Sequence, residues 1–316
     1  MVKKMTNNLK SLRKLLQSTL FLSDDLINIF IATAPYRYKI YEINKRNSDE
    51  KRKIAHPSKE LKFIQRIIIK ELSDILPVHD CAYAYRSGRG IKENALIHSK
   101  NSYLLKLDLS NFFNSLTPEI FFAECKRNHI DFDKDNASII SNCLFYREHR
   151  KSSLKLSVGA PSSPFISNVI MYSFDKIIET ECLKREITFT RYADDMTFST
   201  NIKNTLIGFD NLIRQVLIDL FKDSISLNND KTIFSSKAHN RHITGITISN
   251  NDNISLGRER KRLISSAIHR FSYDKLDQEA VDKLKGLLAF AHYIEPSFVA
   301  AMEKKYGRET INKLKK

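Results

Sequence analysis

The sequence predicts an α+β fold in which antiparallel strand pairs alternate with amphipathic helices. Two observations carry this. Residues 38–55 and 187–200 each read as a strand, a tight polar turn and a returning strand. The segments around them repeat apolar residues at helical spacing. With 316 residues, 42% of them hydrophobic, the chain can bury a full core, as one large domain or two to three packed subdomains.

Leu9, Leu12, Leu15 and Leu16 predict a first short helix, and Ser23 with Asp24 and Asp25 opens a second that Pro35 ends. Tyr38, Ile40, Tyr41 and Ile43 predict a strand, KRNSDEK a basic turn, and Arg52 to Ala55 the return. Leu61, Ile64, Ile68 and Leu72 share one face of the next helix. From Ser102, SYLLKLDLSNFF reads as a buried strand that ends in an acid and aromatics. A mainly helical stretch runs from Pro118 to about Tyr146, and Pro161 and Pro164 bracket the entrance to one helix through PFISNVIMYSFDKIIET. After the 187–200 hairpin come a helix through FDNLIRQVLIDLF, strand-like pieces in KTIFSS and RHITGITIS, and a helical, basic C-terminal part from Gly257.

Lys and Arg number 52 against 36 Asp and Glu, a net charge of +16, which implies a polyanionic partner and most simply nucleic acid. Eight glycines are too few for a family of phosphate-cradling loops. No run reaches the ~18 apolar residues of a membrane span, and the basic start lacks a signal peptide's apolar run. The expectation is a cytoplasmic protein with no membrane partner. Cys81, Cys125, Cys143 and Cys182 form no C-x-x-C pair, which predicts free, half-buried thiols in a reducing compartment. The histidines fall in no zinc pattern, so a metal site would be built from carboxylates and suit a hard cation such as magnesium.

Tyr192, Ala193, Asp194 and Asp195 spell YADD between two strand-like flanks. Adjacent Asp residues suit a plain turn. They also repel each other at a hairpin tip unless something positive sits there, and a divalent cation answers that need. Asp108 closes the apolar run YLLKLD; alone it reads as a strand end or a helix cap. With YADD it completes three carboxylates able to hold two magnesium ions for phosphoryl transfer to a 3′-hydroxyl. Phe113, five residues on, is either a core aromatic beside Phe112 or a wall under an incoming sugar that excludes a ribose 2′-hydroxyl.

LGRERKRLISSAIHRF predicts an amphipathic helix with Leu263, Ile264, Ala267, Ile268 and Phe271 on its apolar face. Arg258, Arg260, Lys261 and Arg262 crowd its N-terminus, where the helix dipole disfavours them; a solvated face or a nucleic-acid backbone accounts for them. Lys45 and Arg46 at the first hairpin's tip read equally as phosphate contacts or as solubility. Asn94 and His98 are spaced to share a helical face, where packing and capping would account for them.

Most of the chain resembles the reverse transcriptases. KLDLSNFFNSL resembles motif A, with Asp108 as metal ligand and Phe113 at the sugar-gate position; VGAPSSPFISN resembles motif B; RYADDMTFS motif C; and LNNDKTIFSS, with Lys231, motif D. RKIAHPSKELK resembles the fingers motif that contacts the triphosphate, which implicates Arg52. N-A-x-x-H at Asn94, Ala95 and His98, and an I-T-G triplet at Ile243, Thr244 and Gly245, are similar to signatures of the retron enzymes. Those are bacterial enzymes that make branched, RNA-linked single-stranded DNA (msDNA). The chain departs at Val158, where the family often has Gln before Gly159, and at Ile243, where it has Val.

The resemblance implies a right-hand polymerase with an antiparallel-sheet palm, fingers and a helical thumb. Its expected divisions are N-terminal helices over 1–35, fingers over 36–101, palm over 102–250 with a fingers insertion at about 118–157, and an RNA-binding thumb over 251–316. It implies catalysis by Asp108, Asp194 and Asp195 with two Mg2+. It implies substrate contacts from Arg52, Phe113, Gly159 and Lys231. It implies RNA contacts from Asn94, His98, Thr244, Gly245, Arg258, Arg260, Lys261 and Arg262. The implied partners are a cognate noncoding RNA, its msDNA product, deoxynucleoside triphosphates and a separate effector protein in phage defence. Two rival readings are another bacterial reverse transcriptase class and a polymerase-shaped RNA scaffold that restrains an effector.

Overall fold

Helix α1 (Leu12–Leu20) opens the computed structural model, which describes residues 11–44 and 51–315. Leu9 of the expected first helix lies outside that range. The Ser11 hydroxyl caps α1, and α2 (Asp24–Thr33) follows with its two acids in the first turn. Strands β1 (Tyr38–Asn44) and β2 (Lys51–Pro57) pair antiparallel from Tyr38↔Pro57 to Asn44↔Lys51. The tip of that hairpin, with Lys45 and Arg46, lies outside the described residues. Helix α3 (Lys59–Ser73), capped by Ser58, buries the expected stripe of Leu61, Ile64, Ile68 and Leu72.

Helix α4 (Ile91–His98) leads into β3 (Tyr103–Asp108) and the single turn α5 (Phe112–Ser115). The helical stretch from Pro118 is two helices, α6 (Pro118–Arg127) and α7 (Lys134–Leu144). His129 takes a left-handed φ of 61°, which ends the first. Asp133 then accepts from the Asn136 amide at 2.8 Å and starts the second. The single helix expected beyond Pro164 is likewise α8 (Ser163–Ile170) and α9 (Tyr172–Leu183), parted at buried Met171, whose ψ of 2° leaves the helical region. Strands β4 (Thr188–Tyr192) and β5 (Asp195–Thr200), helix α10 (Phe209–Phe221) and strand β6 (Ile233–Ser236) follow. Next come β7 (Arg241–Ile243), β8 (Ile246–Ile248) and β9 (Ile254–Ser255). The chain closes with α11 (Arg258–Phe271), α12 (Gln278–Ile294), α13 (Pro296–Tyr306) and α14 (Arg308–Lys315).

The α+β expectation holds. A four-stranded antiparallel sheet runs in the order β4-β5-β3-β6, and β7-β8-β9 form a separate three-stranded sheet. Thr244 and Gly245 turn β7 into β8 with φ of 46° and 80°, the left-handed pair that a two-residue hairpin needs.

Two cores divide the molecule. The first joins α1–α3 and α6–α10 to one face of the four-stranded sheet through Leu105, Leu107, Met196 and Phe198. The second packs Ile243, Ile246 and Ile248 against Ile264 and Ile268 of α11 and the helices beyond, and reaches Ala95 of α4 and Leu104 of β3. Leu104 and Asp108 share the sheet's other face, so that face is covered at one end and carries the acid at the other.

Two packing expectations need correction. All four cysteines are buried rather than half-buried, because each sits on a core-facing position. Leu263 is 57% exposed and off the apolar face of α11, since one residue turns the helix about 100° away from Ile264. No single helix among the described residues is long and apolar enough to cross a membrane.

Candidate active site and nucleic-acid interface

Strand pairing assembles the acids. β3 and β5 pair so that Asp108 stands directly opposite Asp195. β4 and β5 pair as far as Tyr192↔Asp195, which leaves Ala193 and Asp194 as a two-residue turn. The Leu109 amide donates to the Asp194 carbonyl at 3.1 Å, and the Asn228 amide to that of Asp108 at 2.8 Å. These bonds tie motif C and the segment before Lys231 to the end of β3.

Burial, and then repulsion from its neighbour, holds Asp194 above the usual carboxylate range and pushes Asp195 up to about 6. Lys231 places its Nζ 2.9 Å from Asp108 Oδ2, and that hydrogen bond raises the lysine further above its ordinary value. Among the described residues no three His, Cys, Asp or Glu side chains form a preformed metal cage. The donor set still fits a hard divalent cation: oxygen ligands only, from three clustered acids whose mutual repulsion such a charge relieves.

Sequence reasoning missed what holds the YADD turn. Arg191, completely buried, binds both oxygens of equally buried Asp175 at 2.7 and 2.6 Å. Its Nη1 donates to the Ala193 carbonyl at 3.0 Å and to Asn168 Oδ1 at 3.2 Å. Ala193 needs this support, because its φ of 58° is left-handed. The signal was available: Arg191 occupies an inward position on β4, in phase with core residues Ile187 and Phe189.

Phe113 packs beside Phe112, with ring centroids 5.4 Å apart, and faces a cleft of about 360 Å³ shared with Tyr85, Val158 and Gly159. Basic His56, Lys62 and Arg66 also line it, and sequence reasoning gave none of these three, nor Tyr85, a role. Gly159, at φ 119°, lets the motif B loop lie against β2; a Cβ there would stand 3.2 Å from Ile54 Cγ2. The Ala55 amide donates to the Val158 carbonyl at 3.2 Å, and the Ser157 hydroxyl to the Ala55 carbonyl at 2.9 Å. The β1–β2 hairpin is thereby fastened to the loop of Val158 and Gly159, through the Val158 carbonyl rather than its side chain. Arg52 is exposed on β2, and its charge partly offsets the upward shift of Asp194.

The RNA-contact expectation for Asn94 and His98 is corrected, because both are sealed in the protein at 1% and 0% exposure. The Thr190 hydroxyl donates to Asn94 Oδ1 at 2.6 Å, so it accepts from His98 Nε2–H at 2.7 Å. His98 Nδ1 then accepts from Ser199, 2.6 Å away, and burial pushes the imidazole down to about 3, keeping it neutral. N-A-x-x-H thus braces β4 and β5 on the sheet face that carries Asp195, at the end away from the acids.

The β7–β8 turn and the start of α11 border a second cleft of about 1550 Å³, lined by Gly245, Thr247, Arg258, Arg260, Lys261 and Arg262. Thr244 sits half-buried behind the exposed Gly245. Arg258 and Arg262 are exposed on this cleft. Arg260 instead donates to the Gly245 carbonyl at 3.1 Å, and Lys261 pairs with Glu295 at 2.6 Å. Lys261 lines the cleft but is partly exposed and already paired, so an RNA phosphate would compete with Glu295 for it.

Residues 43–248 match the family described as reverse transcriptase (RNA-dependent DNA polymerase). Over 88% of its length the chain is 47% identical to the retron Ec83 reverse transcriptase of Escherichia coli, 90% of which is covered. The chain belongs to the retron reverse transcriptases. This retron reverse transcriptase is also 27% identical to the retron Ec86 reverse transcriptase of Escherichia coli, over 98% of the chain and 93% of that protein. Its fold matches telomerase from Candida tropicalis, solved with the TWJ fragment of telomeric RNA, at a TM-score of 0.50 and 13% identity. The match covers 92% of the chain but only 57% of that structure's length. A retron reverse transcriptase is an RNA-directed DNA polymerase, and polymerases of this class work with divalent metal ions. The family match ends at residue 248, so Asp108, Asp194, Asp195 and Lys231 fall inside it and α11–α14 beyond it.

Proposed function

We propose that this retron reverse transcriptase binds its cognate structured noncoding RNA and copies part of it into msDNA, with priming from a guanosine 2′-hydroxyl of that RNA. The observation that carries the reading is the pairing of Asp108 with Asp195 beside the YADD turn, with Lys231 bonded to Asp108. Residues 36–101 act as fingers, 102–250 as palm with an insertion at about 118–157, and 251–316 as thumb behind the N-terminal helices of 1–35. Asp108, Asp194 and Asp195 would hold two Mg2+, which when bound activate the attacking hydroxyl and offset charge on the leaving pyrophosphate. Arg191 keeps the turn in register with β3 through Ala193. Lys231, protonated beside Asp108, supplies positive charge where pyrophosphate departs. Arg52 faces the triphosphate from β2, Phe113 excludes a ribose 2′-hydroxyl, and Gly159 holds the cleft's shape. Arg258, Arg260, Thr244 and Gly245, with Arg262, line the RNA track. By family resemblance the protein works in the bacterial cytoplasm, in phage defence with a separate effector protein.

The test is expression with the native upstream region, followed by extraction of small branched DNA. Wild type should yield msDNA and Asp194→Asn none; a wild type without msDNA, matched by an unchanged Asp194→Asn, sinks the reading.

A further inference from the structure

Lys106 is left unexplained by these assignments. It lies on β3 two residues before Asp108, so the strand's period of two puts both on one face. It pairs with Thr197 of β5 on one side and Ile233 of β6 on the other, so it sits inside the sheet, where lysine is a poor strand former. Its face is closed at Leu104 by the second core and bears carboxylates at Asp108 and Asp195. Lys106, half-buried, marks the border between the two.

Other cations near this sheet are satisfied within the protein. Lys231 bonds Asp108, Arg191 bonds Asp175, and Arg241 donates to the carbonyls of Asn101 and Ser249. The Lys106 ammonium meets no hydrogen-bond acceptor, carboxylate or ring face among the described residues. Its field reaches Asp195 on one side and His242 of β7 on the other, which sets it between the acids and the β7–β8 hairpin. The half-buried charge carries a desolvation cost that an external anion would offset.

We propose that Lys106 is a binding site for a backbone phosphate of the growing DNA strand, just behind its reacting 3′ end. The chemical class follows from position. The carboxylates call for a terminal hydroxyl at Asp108. Lys106 stands about 6.8 Å back along the strand, and a nucleic-acid strand carries a phosphate about every 3.4 Å of its axis. The contact therefore falls within about the first two linkages of the primer. This rests on the polymerase reading above.

The experiment is primer–template binding by the full chain over a salt series, with Lys106→Met, which keeps the apolar stem, and Lys106→Arg, which keeps the charge. Loss of one phosphate contact should lower the slope of log affinity against log salt by about 0.7–0.9 in Lys106→Met. Lys106→Arg should keep the wild-type slope, and the KM for nucleotide should stay unchanged in both. A primer with one neutral methylphosphonate at its first or second linkage tests the same contact from the ligand's side, even where a variant does not fold. Wild type should lose the same slope on one of these primers, and Lys106→Met should be indifferent to the change. An unchanged slope in Lys106→Met, wild type insensitive to both neutral linkages, or an effect confined to nucleotide KM overturns the proposal. Wild-type extension of an RNA-templated primer separates the two ideas. No extension defeats the polymerase reading, whereas intact extension with unchanged slopes defeats this one.

Discussion

Replacing Asp175 by Asn leaves Arg191 charged, fully buried and without its carboxylate. Breaking such a pair from one side costs about 3–5 kcal/mol, and Arg191→Met, which strands Asp175, costs the same order. Removing both charges in Arg191→Met/Asp175→Leu should recover most of that stability, because no buried ion is then uncompensated. Activity should not recover with it. Arg191 also holds the Ala193 carbonyl at 3.0 Å, and that bond fixes a turn with a left-handed residue next to Asp194. A hydrogen bond to a charged group is worth about 1.5–3 kcal/mol, which in a catalytic step is about ten- to a hundredfold in rate. Urea midpoints and primer-extension rates on the same preparations give both quantities. The singles should fall in both. The double should return near the wild-type midpoint yet extend at least about tenfold more slowly. A double variant that regains both would show that the network only stabilises the fold, and the positioning argument would be wrong.

Phe113→Ala should raise ribonucleotide incorporation relative to deoxynucleotide while extension with deoxynucleotides persists; unchanged discrimination removes Phe113 from the sugar site. Gly159→Ala must adopt φ 119° and press on Ile54 Cγ2 at 3.2 Å, a strain of about 1–3 kcal/mol. It should raise the nucleotide KM, and an unchanged KM contradicts the role given to that loop. His98, held near 3 by burial, binds a proton around pH 6.5 only when the chain unfolds. Its neutral burial therefore contributes fully above about pH 6.5, and stability falls on acidification by about 1.4 kcal/mol per unit. His98→Gln lacks this loss, so the stability gap between wild type and variant should narrow by about 2 kcal/mol from pH 6.5 to 5; parallel stability curves refute it.

The parts legible in the sequence are those that local rules determine. Alternation around YADD gave the β4–β5 hairpin, and the run ending in Asp108 gave β3. Their juxtaposition followed from the chemistry that three carboxylates share. The break at Met171 was not legible, because Ile166, Ile170, Phe174 and Ile178 keep the apolar period through it while only the backbone angles change. Partners of buried polar groups were the least visible. Arg191 finds Asp175 from another element, and His98 finds Thr190 and Ser199 about a hundred residues away. Of the two roles open to N-A-x-x-H, support and RNA contact, burial leaves support, and Lys261 pairs with Glu295, at the junction of α12 and α13.

The central claim is that Asp108, Asp194 and Asp195 form a reverse-transcribing centre. The most direct measurement is incorporation of deoxynucleotides on a primed RNA template by the purified chain with magnesium, beside Asp108→Asn and Asp194→Asn variants of matched fold. Extension by wild type and a loss of at least about a thousandfold in either variant, roughly 4 kcal/mol of transition-state stabilisation, is the predicted result. Variants that extend the primer as wild type does would contradict it.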